Sequence, residues 1–317
     1  MSLAMGQVWH MPAINYVRHN LDFVVVSSEK TLTPVEPILK WVGGKRSLLA
    51  ELNKVIPDPN QGGTYFEPFL GAGAVLFSRT GPWKLVGYDT NKELVDTYST
   101  VKNNLVELLT LLEEHAQRHS KEYFYEIRAW DRQDNWLSRT KVQRSARMIF
   151  LNKSCFNGMY RVNSEGKFNV PFGNYAKPII ADHLRLTEMS KFLKSKLPSG
   201  HTRVSLSNSD YTKVLEEAKK GDVVYFDPPY DPISASSSFT AYSKEGFDEF
   251  DQRNLFVVAS ALVEIGVRVV MSNTASTGVK RLCAEFGFNY QEVSISRKLA
   301  AKSSSRKPIK ELIITHM

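Results

Sequence analysis

Cysteine is scarce: Cys155 and Cys283 are the two in 317 residues, and neither has a CxxC partner or a histidine cluster beside it. That excludes a disulfide-framed secreted domain and argues against a zinc site, so two free thiols in a reducing compartment and no metal are expected. No apolar run approaches the length of a membrane span. The start scatters Trp9, His10, Arg18, His19 and Asp22 and lacks the charged head, apolar run and cleavage site of a signal peptide. A cytoplasmic protein with no membrane partner is the expectation. Internal repeats and long low-complexity tracts are missing as well. Acidic residues are in deficit, 33 against 41 Lys plus Arg, for a net charge of +8. An excess of that sign suits a polyanion, because each Lys or Arg that neutralises a phosphate releases a counterion. The third glycine of a dinucleotide loop is also absent: Gly71-Ala72-Gly73 is followed by Leu76 where that glycine would stand, which argues against a pyrophosphate cofactor.

What is present is an α/β rhythm, with 42% hydrophobic residues to build a core. Residues 1–34 carry no pattern and read as an N-terminal extension. Residues 64–69 read as a buried strand running into Gly71-Ala72-Gly73, then a helix beginning Val75-Leu76-Phe77, then a second strand over 84–88 that ends at Asp89. Strand, glycine loop, helix, strand and acid form the skeleton of a nucleotide-binding βαβ unit. Residues 91–150 are mostly helical by spacing. Residues 152–175 are rich in Asn, Gly, aromatics and basic residues and read as hairpins and loops. Strands return at 203–206, before Asp210, at 222–226 and at 267–273, with a helix over 252–265. The end reads as strands around a basic loop bearing Lys298, Lys302, Arg306 and Lys307.

The sharpest chemical feature is Asp227-Pro228-Pro229-Tyr230, at the C-terminal end of a buried strand, where open α/β sheets build ligand sites. An exocyclic aromatic amine is a poor nucleophile because its lone pair is delocalised into the ring. Two acceptors held at its hydrogens favour localising that pair. The Asp227 carboxylate and the Pro228 carbonyl, fixed by two restricted φ angles, can do this, and Tyr230 can stack on the base. The plain alternative is a strand that ends in a turn; alone, the two readings are even, and the aromatic flanks favour a site. Gly71 and Gly73 allow close backbone approach to a cofactor, and Asp89 is placed for ribose hydroxyls or, less interestingly, as a helix N-cap. Trp41 can face a sulfonium or an adenine, or simply be buried beside Gly43-Gly44. The segments 156–163 and 166–175 interleave Arg, Asn and aromatics. Such a hairpin can read guanine with an Arg and wedge a base stack with an aromatic, or present an ordinary solvated face.

Four motifs together closely resemble the Dam family of DNA adenine methyltransferases from about Pro37 to the C-terminus: 40–45 (KWVGGK), 67–73 (EPFLGAG), 168–173 (FNVPFG) and 227–230 (DPPY). The resemblance implies a Rossmann-like class I S-adenosylmethionine-dependent methyltransferase of the α/β class, with a doubly wound, mixed seven-stranded sheet. The catalytic domain is expected at 35–100 and 201–317, with a target-recognition insertion at 101–200. S-adenosylmethionine is the implied cofactor and S-adenosylhomocysteine the product. Trp41, Lys45, Asp89, Asp210 and Asp227 are implied cofactor contacts, in a pocket that takes in Phe69, Gly71 and Gly73. Asp210 is implied to meet the cofactor adenine. The implied partner is double-stranded DNA, at GATC, with the target adenine flipped out of the stack. Lys40, Met159, Arg161, Pro171 and Tyr175 are the implied base readers, in a hairpin that includes Asn163, and Phe156 is the intercalating aromatic. Met159 stands where Leu is familiar in the family, and Phe156 lacks the hydroxyl of a Tyr. A cytosine-N4 or RNA-base methyltransferase, and a DNA-binding module without catalysis, stay open as alternatives. Asp at 227 favours adenine over cytosine, and intact motifs disfavour loss of catalysis.

Overall fold

A computed structural model describes residues 32–229, 247–295 and 309–316. Its strands are β1 (Thr64–Glu67), β2 (Lys84–Asp89), β3 (Val204–Asn208), β4 (Val223–Phe226), β5 (Arg268–Thr274), β6 (Asn289–Ile295) and β7 (Ile309–Thr315). They form one sheet in the order β3-β2-β1-β4-β5-β7-β6. The first five in that order are parallel, and β7 runs antiparallel to both β5 and β6. This is the mixed, doubly wound, Rossmann-like seven-stranded sheet expected from the sequence.

Side chains alternate between two apolar layers. Tyr65, Leu85, Tyr225, Val270 and Ile313 face one layer; Phe66, Val86, Val224, Met271 and Leu312 face the other. Both faces are covered, which is why β4 is apolar at every position rather than alternating. In sequence, the strands run outward from β1 through β2 to β3, then restart on the other side at β4. The C-terminal ends of β1 and β4 therefore open a crevice at the point where the order reverses.

Helices α1 (Leu49–Val55), α2 (Lys92–Asn103), α3 (Leu105–Gln117), α4 (Lys121–Arg128), α5 (Lys141–Ser154) and α6 (His183–Leu193) contribute to the first layer, where Leu52, Tyr98, Leu112, Phe124, Phe150 and Phe192 join Tyr65 and Tyr225. Helices α7 (Val214–Glu217), α8 (Glu249–Glu264) and α9 (Thr277–Phe286) cover the other. Local chemistry sets their ends. Thr140 and Gln143 form a capping box on α5, and Asp248 and Asp251 form one on α8. Gly287, with φ of 73°, closes α9. Among the described residues no helix is long and apolar enough to cross a membrane.

One expectation changes, and one plain alternative falls away. The helix expected from Val75 is a single 3-10 turn, Leu76–Ser78. The chain leaves it in extended geometry at Arg79, whose guanidinium binds the carbonyls of Ile56 and Pro57 at 3.1 and 3.0 Å, and Gly81-Pro82 follows. The N-cap of α2 is Asn91, whose side chain accepts from the Leu94 amide, and not Asp89. The extension to residue 31, Tyr230, and the basic loop with Lys298, Lys302, Arg306 and Lys307 lie outside the described residues.

Candidate active site

Asp227 leaves β4 directly into the crevice. Its Oδ1 lies 2.7 Å from Nζ of Lys45, a side chain only 4% exposed. The same ammonium donates to the Gly43 carbonyl at 2.8 Å and stands 3.9 Å from Glu311 of β7. Burial pushes the Asp227 carboxyl up to about 6 against the pull of Lys45, with Glu311 adding to the rise. Glu67, at the end of β1, is buried and accepts from the Tyr65 hydroxyl at 3.1 Å. Burial and the neighbouring Asp227 hold its carboxyl well above the usual carboxylate range. A neutral acid therefore sits beside a titrating one, and the buried ammonium favours the charge on Asp227. Past Asp227, Pro228 is buried, and the Pro229 carbonyl accepts from Gln252 Nε2 at 3.4 Å. Gln252 in turn accepts from Asn273 Nδ2 at 2.9 Å. Both amides are buried, so a polar chain from α8 and β5 braces the turn from beneath.

The glycine loop lies beside it. Gly71 and Gly73 take φ of +47° and +72°, a region that resists any side chain. The Gly71 amide donates to Asp89 Oδ2 at 2.9 Å, and the Asn91 amide donates to Oδ1 at 2.8 Å. Each carboxylate oxygen keeps accepting capacity for a ribose hydroxyl. Burial nonetheless raises the Asp89 carboxyl, offset by those two amides. A Cβ at Gly71 would stand 3.1 Å from Trp41 Cδ1, so only glycine lets Trp41 close over the loop. One indole face is stacked on Tyr160, centroids 4.9 Å apart, which leaves a cofactor the opposite face or the edge. Phe69 stacks on Tyr211 at 5.1 Å and meets Phe226 edge-on at 6.2 Å, joining the glycine loop to β4. Asp210, exposed, immediately precedes Tyr211 and caps its turn through the Thr212 amide. An amine-and-nucleoside ligand fits this set by its chemistry: a glycine loop with no Cβ to block close approach, the Asp89, Asp210 and Asp227 carboxylates, and the aromatic faces of Trp41 and Phe69. Trp41, Phe69, Gly71, Gly73, Asp89 and Asp210 would hold it. Lys45 lies on the Asp227 side of the crevice. Among the described residues no group of three or more His, Cys, Asp or Glu could hold a metal.

The third group sits at the N-terminal motif. Lys40 is exposed, and its ammonium lies 5.6 Å from the Tyr175 ring. Its backbone is fixed by Asn152 of α5, which accepts from the Lys40 amide at 2.9 Å and donates to the Lys40 and Gly158 carbonyls at 2.8 and 2.9 Å. Phe156 is 42% exposed, and the Pro171 carbonyl accepts from its amide at 2.9 Å. Met159 is half-buried against the first layer. Arg161 donates from Nε to Asn169 Oδ1 at 2.7 Å. Asn163 is occupied in the turn, accepting from the Glu165 and Lys167 amides. Lys40, Phe156, Pro171, Arg161 and Tyr175 thus belong to one local assembly.

Sequence reasoning did not single out Asn152, Gln252, Asn273 or Glu311. Asn152 stands beside Lys153, Gln252 between Asp251 and Arg253, Asn273 between Ser272 and Thr274, and Glu311 beside Lys310. Nothing local sets them apart from other polar residues, and the sequence does not say which partner satisfies each side chain.

Residues 41–299 match the family model of the D12 class N6 adenine-specific DNA methyltransferase. The chain is 38% identical to the type II methyltransferase M1.LlaDCHI of Lactococcus lactis subsp. cremoris, over 91% of this chain and 98% of that one. It is 37% identical to the type II methyltransferase M.MjaIII of Methanocaldococcus jannaschii, over 88% and 98%. With the DNA adenine methylase of Escherichia coli K12 it shares 30% over 87% and 93%. With a carboxylate, a proline pair and a glycine loop gathered at one crevice, the chain belongs to the D12 class of N6 adenine-specific DNA methyltransferases, which use S-adenosylmethionine.

Proposed function

We propose that the protein methylates adenine N6 within GATC in double-stranded DNA, on an adenine turned out of the stack. In this reading, residues 35–100 and 201–317 do the chemistry and residues 101–200 read the target. The observation that carries the chemistry is the Asp227 carboxylate, held 2.7 Å from a buried ammonium in the same crevice as the Gly71–Gly73 loop. Support for the target comes from the assembly of Lys40, Arg161, Pro171 and Tyr175, with Phe156 exposed to wedge the gap.

The cofactor supplies an electrophilic methyl on a sulfonium. Asp227 accepts one hydrogen of the adenine amine. The Pro228 carbonyl is the second acceptor in this reading, while the Pro229 carbonyl accepts from Gln252 at 3.4 Å. Positioning of these groups before the base arrives is the catalytic contribution. After transfer the nitrogen carries an extra proton, and Asp227, which titrates at about 6, can take it and pass it to solvent. An amine on a base still stacked in the duplex is out of reach of a protein site, so flipping belongs to this reading. Action on DNA supports a place in the cytoplasm or nucleoid.

Asp227→Ala is expected to abolish methylation while DNA affinity holds. Arg161→Ala is expected to cost about 1–3 kcal/mol of discrimination at one base pair. Methylation-sensitive sequencing of a treated plasmid, with the modified nucleoside identified after digestion, checks the reading. N4-methylcytosine, or near wild-type turnover by Asp227→Ala, would overturn it.

A further inference from the structure

Among the described residues, the hairpin that carries Arg161 has an edge with no neighbouring strand. Val162 and Phe168 face each other as an antiparallel bridge. The bonds around them run from the Asn163 amide to the Lys167 carbonyl at 2.8 Å and from the Asn169 amide to the Arg161 carbonyl at 3.0 Å. Val162 and Phe168 are thus a non-hydrogen-bonded pair, and the amide and carbonyl of Phe168 point outward, where a third strand would pair. Side chains occupy that place. Asp131 Oδ2 accepts from the Phe168 amide at 2.8 Å, and Arg132 Nη2 donates to the Phe168 carbonyl at 2.7 Å. One ladder step on, Arg128 Nη1 donates to the Val170 carbonyl at 3.3 Å. All three residues lie at the end of α4 and in the turn after it.

Behind this edge stands a guanidinium that is almost wholly enclosed. Arg147 of α5 is 1% exposed, ion-pairs with Asp131 Oδ2 at 2.7 Å, and donates to the carbonyls of Ile127 and Arg128 at 3.0 and 2.8 Å. Asp131, 4% exposed, also pairs with Arg132. Burying such a charge group demands close geometry, and so it holds its partners tightly. The chain of contact is continuous: Arg147 fixes Asp131, Asp131 fixes Phe168, and Asn169, the next residue, holds the Arg161 side chain.

We infer that Asp131, Arg132 and Arg147 form a side-chain substitute for a third strand that sets the position of Arg161, making them positioning residues for base discrimination rather than for methyl transfer. This rests on the proposed role of Arg161 as a base reader. Arg132 is partly exposed, so Arg132→Met can loosen the clamp without opening the core. Asp131→Asn tests the same clamp from inside, and cofactor affinity by calorimetry reports whether each variant is folded.

The experiment measures kcat/KM on a duplex with the methylated site and on its single-base variants, for wild type, Arg132→Met, Arg161→Ala and the double variant. The expected result is a roughly tenfold fall in discrimination for Arg132→Met at the same base pair that Arg161→Ala affects, with no further fall in the double variant. For Arg132→Met, cofactor affinity and kcat on saturating cognate DNA stay within about twofold, since Arg132 contacts Arg128, Asp131 and Phe168 of the hairpin edge. Unchanged discrimination in Arg132→Met, or losses that add in the double variant, overturns the inference. Unchanged discrimination in Arg161→Ala alone shows that the base-reading role itself is wrong, and the inference falls with it.

Discussion

Lys45 illustrates how a single residue can be visible in sequence while its partner is visible only in three dimensions. The motif at 40–45 marks it as part of a site. The fold buries it and places its ammonium 2.7 Å from Asp227. The physical consequence is an acid caught between burial, which favours its neutral form, and a cation, which favours its charge. Removal of the cation leaves burial and Glu311 unopposed. The free enzyme needs Asp227 as a carboxylate, so kcat/KM should rise with pH through about 6. In Lys45→Met that ascending limb should move to higher pH by roughly 1–3 units. A pH–rate profile checks this, and an unmoved limb would show that Lys45 does not set the charge. Asp227 was readable because a carboxylate before two prolines is a rare arrangement with a specific chemical use. The value at which it titrates was not, because Lys45 and Glu311 reach it from 182 and 84 residues away along the chain.

At the scale of elements, α5 joins what the sequence separates. Arg147 near its middle holds Asp131, which binds the hairpin edge, and Asn152 near its end ties Lys40 to Gly158. The 3.6-residue periodicity of α5 announces a helix but not these two tasks. Asn152→Ala leaves one amide and two carbonyls without this partner. It is expected to destabilise the protein by at least about 1–3 kcal/mol, measured by urea unfolding. Asn152→Asp, although the same size, should be no better, because it keeps the acceptor for Lys40 but sets a carboxylate against two carbonyls. Strand positions were legible to within about two residues, since β1, β2 and β4 are short apolar runs with clear punctuation. The expected helix after the glycine loop was not. Val75-Leu76-Phe77 has the apolar character of a helix start, but Arg79 finds better partners in the carbonyls of Ile56 and Pro57 and draws the chain away.

For the whole molecule, one apolar layer runs from the sheet through α2 to the helices of residues 105–193, so the segment proposed to read DNA shares its core with the segment proposed to do chemistry. Unfolding should therefore be cooperative across both. Variants that keep only Trp83, beside the sheet, or only Trp130, in the insertion, should give coincident urea transitions by fluorescence. Separate midpoints would show an independently folding recognition unit. By itself the sequence determined the α/β class, the glycine loop, the proline-stiffened acid and the basic, aromatic hairpin, because each is local: a periodicity, a turn geometry or a side chain whose chemistry has few other uses. The tertiary structure decided which charges meet, which carbonyls are taken and how the hairpin edge is closed. Those outcomes depend on groups far apart in the chain being brought into hydrogen-bonding or ion-pair contact and removed from water together, and nothing in their local neighbourhood encodes the partner.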